Sequence, residues 1–234
     1  MAKFREDGLS FDDVLLVPQH SEIASRSDVD LGTNLGGMRL SLPILSANMD
    51  TVTDGAMAVA LGRAGGAGVL HRFAELEDQM SWVKQCHFAQ VPVILSVGID
   101  GEHDSFLVEA NPDAICVDVA HGDHSRVVEL VQELREAYES IDIIAGNVAT
   151  RGAAMRLVEA GANIIKVGIG PGSVCSTRVV SGHGVPQLTA ILDVCDELAH
   201  LRQYGQEEVF VIADGGIRYP GDIVKALAAG ADAV

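Results

Sequence analysis

Eight short apolar runs punctuate this chain: PILSAN (43–48), GVLH (68–71), VPVILSVG (91–98), DAICVDVA (113–120), DIIAGN (142–147), NIIKVG (163–168), VFVIAD (209–214) and ADAV (231–234). Between them lie stretches such as TDGAMAVALGRAGG and DHSRVVELVQELREAYES, whose apolar residues recur every three or four positions, as on one face of a helix. The junctions repeat as well. GRAGGAGVLH, EAGANIIKVG and AAGADAV each end a helical stretch in Ala-Gly and lead through a small residue into the next run. Glycine at that place suits the left-handed residue that terminates a helix. Runs that are continuously Val, Ile and Leu, rather than alternating with polar residues, suit parallel strands covered on both faces.

Strands alternating with helices in this manner predict a (β/α)8 barrel forming a single domain over residues 1–234. A doubly wound open sheet is the rival, but no G-x-G-x-x-G follows the first strand. The first forty residues, including DVLLVPQHSEIASRSDVDL, form an N-terminal extension expected to close the bottom or edge of the barrel. The sequence stops at Val234, as strand eight begins. Because open sheet edges expose unpaired backbone groups, the natural protein is expected to continue beyond it.

The formal charge of −17, from 16 basic and 33 acidic residues, opposes any broad nucleic-acid surface. An anionic substrate would have to be held by local donors. No apolar run approaches a membrane span, and the charged start MAKFREDGLSFDD lacks a signal core, so a cytoplasmic protein with no membrane partner is expected. The four cysteines show neither C-x-x-C pairing nor zinc spacing and are judged singly. Cys116 lies in a strand run, and Cys86 and Cys195 lie in helical stretches, which are structural places.

In a barrel of this type chemistry sits where strands end. Those ends read Asn48-Met49-Asp50, His71-Arg72, Ser96-Val97-Gly98, Asp118 to Gly122, Gly146-Asn147, Gly168 to Arg178 and Asp214-Gly215-Gly216, while the opposite ends are plain Pro, Asp, Asn and Ala. That asymmetry points to an enzyme. His121 and His124, with Asp123 between them, lack a third metal ligand and read as solvated loop residues. The stretch GIGPGSVCSTR (168–178) is the most informative. Its glycines and proline forbid helix and regular strand, and they bring backbone amides and carbonyls close to a ligand or ion. Behind them stands Cys175, with Arg178 near enough to favour a thiolate.

IIAGNVAT (143–150), KVGIGPGSVCSTR (166–178), GVPQLTAI (184–191), IADGGI (212–217), LSFDDVLLVP (9–18) and SANMDTVTD (46–54) together resemble the IMP dehydrogenase/GMP reductase family, in order from residue 8 to 234. The resemblance implies a barrel acting on a purine nucleoside monophosphate, GMP or IMP, with a nicotinamide cofactor. It implies that Cys175 attacks purine C2 and that Thr177 helps to move protons. Ser173, Asp214, Gly215 and Gly216 would contact the nucleotide. Ser25, Arg26, Arg72, Asp118, Val119, Ala120, Ile169 and Gly170 would contact the cofactor. Gly170, Gly172, Cys175 and Arg178 would supply backbone carbonyls to a potassium ion, and the assembly would be a homotetramer. HRFAELEDQMSWVKQ runs directly into CHFAQVPVILSVG, leaving no room for an inserted CBS module. With Asn48, HRF (71–73) and DVAHG (118–122), this resembles the GMP reductase branch, which uses NADPH. An IMP dehydrogenase without CBS modules, using NAD, is the alternative, and an inactive fragment or nucleotide-binding regulator is the non-enzyme alternative. The residues that best separate the branches would follow Val234.

Overall fold

The computed structural model describes residues 7–100, 104–203 and 208–234. A two-stranded antiparallel hairpin comes first, β1 (Thr33–Leu35) and β2 (Met38–Leu40). Seven parallel strands follow: β3 (Leu45–Ser46), β4 (Ala67–Leu70), β5 (Ile94–Val97), β6 (Ala114–Asp118), β7 (Asp142–Val148), β8 (Ile164–Val167) and β9 (Phe210–Ala213). They lie side by side in chain order, β3 to β9, which is the order of a curling barrel wall and not of a doubly wound sheet. The last residues take the eighth place. Ala213 donates its amide to Ala233 O (2.9 Å), and Leu45 donates to Val234 O (2.7 Å). Val234 donates in turn to Pro43 O (2.9 Å), so Ala233 and Val234 bridge β9 to β3.

The helices are α1 (Gly55–Arg63), α2 (Leu76–Ala89), α3 (Asp104–Ala110), α4 (Ser125–Ala137), α5 (Arg151–Glu159), the single-turn α6 (Thr177–Val180), α7 (Gln187–Gln203) and α8 (Pro220–Ala228). Asp54 and Thr150 cap α1 and α5 by accepting the amides of Met57 and Ala153. The repeated junctions end helices as the sequence predicts: Gly161 and Gly230 hold φ of +112° and +106°. α2 covers Leu76–Ala89 without a break, and β5 follows at Ile94.

Each strand feeds two cores. Ile143, Ala145, Ile165 and Val167 pack outward against the helices, while Ile144, Ile164, Cys116 and Ile212 fill the interior. This two-sided burial is why the runs lack polar alternation. Leu35, Met38 and Leu40 of the hairpin join the interior core, and Gly37 donates its amide to Asp142 at the start of β7 (2.7 Å). The hairpin therefore lies across the barrel's bottom. Between it and the rim the chain runs over the outside, leaving Leu15, Val17 and Ile23 more than half exposed.

Several strands are shorter than their apolar runs. β5 starts at Ile94 because Pro92 has no amide and the Val93 amide is taken by the Asp113 side chain (2.8 Å). β3 ends at Ser46 because Ala47 O turns to accept Met49 N and Thr53 Oγ1. No helix among the described residues is long and apolar enough to cross a membrane.

Candidate active site

The strand ends surround a cavity of about 520 Å3, within the usual range for a small-molecule site. Arg72, Asp118, Val119 and Ala120 wall one side; Asn147, Gly168, Ile169, Gly170, Gly172, Cys175 and Thr177 the next; Asn48, Lys166, Asp214 and Gly215 the floor and far side. The periodicity placed these residues at strand ends, and the ring of parallel strands brings the ends together.

The loop after β8 folds back toward the strand that follows it. A side chain at Gly168 would collide with Asp214 O, so only glycine permits the two backbones to meet there. Gln187, at the start of α7, donates to Val167 O (2.8 Å) and Asp214 O (3.1 Å), fastening β8 to β9 beneath the loop. Gly170 (φ +84°) lets the chain pass against the Arg178 side chain. Arg178 itself donates to Val185 O (2.7 Å).

Cys175 is exposed on this loop, its Sγ 3.3 Å from Thr177 Oγ1. Hydrogen bonds from the Thr177 hydroxyl and backbone, assisted by the Gly170 backbone and the Arg178 charge, hold the Cys175 thiol below its ordinary range. The buried thiols behave oppositely. Desolvation pushes Cys86 up to about 11 and Cys116 up to about 12. Of these three, only Cys175 is placed to react as a thiolate.

Beneath the thiol lies a polar network in an otherwise apolar barrel. Lys166 Nζ stands 3.1 Å from Asn48 Oδ1, 3.2 Å from Asp214 Oδ2 and 3.6 Å from Asp118 Oδ1. Asn147 donates to Asp214 Oδ2 (2.7 Å) and Gly168 O (2.8 Å), and Asn48 to Ser96 Oγ (3.1 Å). Burial alone would lower the Lys166 pKa, but the charges of Asp214 and Asp118 outweigh it and raise it. Burial would likewise raise Asp214, and Lys166 with Asn147 reverses this and lowers it. Both groups are thus charged, in keeping with the rule that buried ions are paired.

Lys166 was not among the residues singled out from sequence. Its signal was a lysine inside an apolar strand run, NIIKVG.

Other expected residues lie differently. Ser173, Gly216 and Arg178 flank the cavity without lining it; Gly216 packs on Pro171. Ser25 and Arg26 do not reach it. They occupy a short turn on the exposed extension, where Ser25 caps the amide of Ser27. The backbone of Gly170, Gly172 and Cys175 forms one turn, with Cys175 N donating to Gly172 O (3.1 Å). Carbonyl oxygens suit a monovalent cation, though one face of the Gly172 carbonyl is already engaged. No group of three or more His, Cys, Asp or Glu that could hold a metal ion occurs among the described residues.

Comparison with known proteins identifies the family of the chain. The family model described as "IMP dehydrogenase / GMP reductase domain" matches residues 8–234. The inosine-5'-monophosphate dehydrogenase of Borreliella burgdorferi is 36% identical over 286 residues, covering 99% of this chain and 69% of the relative. That of Cryptosporidium parvum is 38% identical over 272 residues, covering 97% and 66%. That of Bacillus subtilis is 32% identical over 365 residues, covering 100% and 73%. An alignment of 365 residues exceeds the 234 of this chain, so the Bacillus protein carries sequence inside the aligned span that this chain lacks.

Proposed function

Because the chain belongs to the IMP dehydrogenase/GMP reductase family of purine nucleotide oxidoreductases, we propose that it oxidises IMP to XMP at Cys175 with NAD as acceptor. The observation that carries this reading is the Cys175–Thr177 pair on the wall of a rim cavity, in a chain whose similar proteins bear the name IMP dehydrogenase. Those names favour the oxidative direction over the reductive one suggested by the HRF and DVAHG motifs.

Cys175, held toward the thiolate, adds to C2 of the hypoxanthine ring. The nicotinamide, when bound, supplies the acceptor for the hydride that leaves C2. The purine then remains on Cys175 as a thioimidate until water attacks C2, expels the thiolate and releases XMP. Covalent attachment divides one difficult substitution into two easier steps. Thr177, in contact with Sγ, is placed to relay a proton during the hydrolytic step. Asp214, kept ionised by Lys166, suits the ribose hydroxyls, with Gly215 and Ser173 beside it. Asp118, Val119, Ala120, Ile169, Gly170 and Arg72 form the wall for the cofactor. For Ser25 and Arg26 to touch a cofactor they must reach the cavity of a second copy. The exposed apolar extension that carries them fits the expected homotetramer, which light scattering tests. Potassium at the Gly170–Gly172–Cys175 turn, with the Arg178 carbonyl, predicts loss of turnover when the ion is replaced by lithium.

A second reading is favoured by Arg72, which lies at the cofactor wall 4.0 Å from Asp118 and suits the 2'-phosphate of NADPH. Cys175 would then add to C2 of GMP, ammonia would leave, hydride would arrive at C2 and IMP would depart. Incubating the protein with IMP and NAD, and separately with GMP and NADPH, separates the two. NADH formation supports the dehydrogenase; ammonia release with NADPH consumption supports the reductase. Tight nucleotide binding with no turnover in either assay overturns both in favour of a regulatory nucleotide-binding protein.

A further inference from the structure

Lys166 is the cation of the barrel interior, its side chain only 8% exposed, and its ammonium faces three acceptors: Asn48, Asp214 and Asp118. Asn48 and Asp214 lie within hydrogen-bond distance of it, and Asp118 stands slightly farther off as an ion pair. The two carboxylates serve different regions. Asp214 follows β9 and is shared with Asn147 on the nucleotide side. Asp118 ends β6 and turns its other oxygen toward Arg72 on the cofactor side. The sharing is uneven, 3.2 Å to Asp214 against 3.6 Å to Asp118.

We propose that Lys166 is a positioning residue that couples the nucleotide subsite to the cofactor subsite, by dividing one buried ammonium between Asp214 and Asp118. The inference rests on the two-ligand reading above. A ligand hydroxyl that donates to Asp214 satisfies part of its demand and releases the ammonium toward Asp118. A change at Asp118 acts on Asp214 in the reverse sense. Charges inside the barrel are weakly screened, so a small displacement of Nζ changes both pairings. Asn48, anchored on Ser96, limits the ammonium to movement between the two carboxylates.

The test is a binding cycle on the full chain, by calorimetric titration of IMP alone and of NAD alone. Wild type, Asp118→Asn, Asp214→Asn and the double variant are compared, each also in a Lys166→Met background, with thermal melts confirming folding. Coupling predicts that Asp118→Asn, on the cofactor side of the cavity, changes the IMP Kd by at least about threefold with no cofactor present, and that the double variant departs from the product of the singles by a similar factor. In the Lys166→Met background the two substitutions become independent. Effects confined to each residue's own ligand, with multiplicative singles, overturn the coupling while leaving the proposed activity intact. Removing Lys166 leaves two partly buried carboxylates without their cation; if that variant does not fold, the cycle in the native background still decides. A wild-type chain that binds neither IMP nor GMP overturns the purine reading, and this inference with it.

Discussion

Asp113, Asn163 and Asp232 stand just before strands begin; Asn48, Asp118, Lys166 and Asp214 stand at or near the other end of the barrel, where strands finish. The two sets share residue types and differ in partners. At the bottom, Asp113 accepts the amide of Val93 (2.8 Å), Asn163 that of Ile143 (2.8 Å) and Asp232 that of Val211 (2.7 Å). Each polar side chain satisfies a backbone amide at the start of the neighbouring strand. Each also follows a left-handed residue that ends a helix: Asn111 (φ +44°), Gly161 and Gly230. The helix stop and the strand start form one repeated device. At the rim the side chains bond mainly to each other, around one ammonium, and leave faces open to a cavity. An aspartate whose partner is backbone holds the fold; one whose partner is a side chain beside a cavity is available for ligand.

The sharpest way to break this contrast is Cys175→Ser at the rim. Turnover should fall by at least about 10³-fold, because a neutral hydroxyl replaces the nucleophile, while the melting temperature and nucleotide affinity stay near wild type. A large loss of stability would show that the rim also holds the fold.

Thr177→Ala should slow turnover by roughly 10² to 10⁴-fold if the hydroxyl takes part in proton transfer. The same variant should move the pH midpoint of iodoacetamide alkylation at Cys175 upward. In the native protein hydrogen bonds from Thr177 lower that thiol, so the reactive thiolate is present at lower pH. Without the hydroxyl, alkylation at neutral pH should slow and recover only as pH rises. An unchanged midpoint would remove Thr177 as the cause.

The bottom should respond in the opposite manner. Asn163→Ala removes the acceptor of Ile143 N and the donor to Asp142 Oδ1 (2.6 Å). Stability should fall by about 1–3 kcal/mol, a few degrees in melting temperature, with kcat unchanged at temperatures where the protein stays folded. The smallest effect belongs to the Arg126–Glu133 pair on the outer face of α4, both partly exposed. Glu133→Gln should leave the thermal melt close to that of the wild type and leave activity alone.

The repeat of apolar runs and Ala-Gly junctions determined the strand order, the helix ends and which residues stand at the rim, because these follow from local periodicity and from residues that suit one backbone state. The thiol was legible for the same reason: a cysteine behind a glycine loop stands apart from cysteines in apolar runs. Lys166 was not, since a lysine in a strand gives no sign of which face it takes or what it meets. Its partners come from β6, from the segment after β3 and from the segment after β9, as many as 118 residues away in sequence. Ser25 and Arg26 were assigned by likeness of sequence, but the course of the extension, not their identity, carries them away from their own cavity. Residue types and their spacing decided which groups could do chemistry. Only closing the ring of strands decided which of them share a proton, a charge or a ligand, because those interactions depend on distances of a few ångströms between segments that the chain keeps far apart.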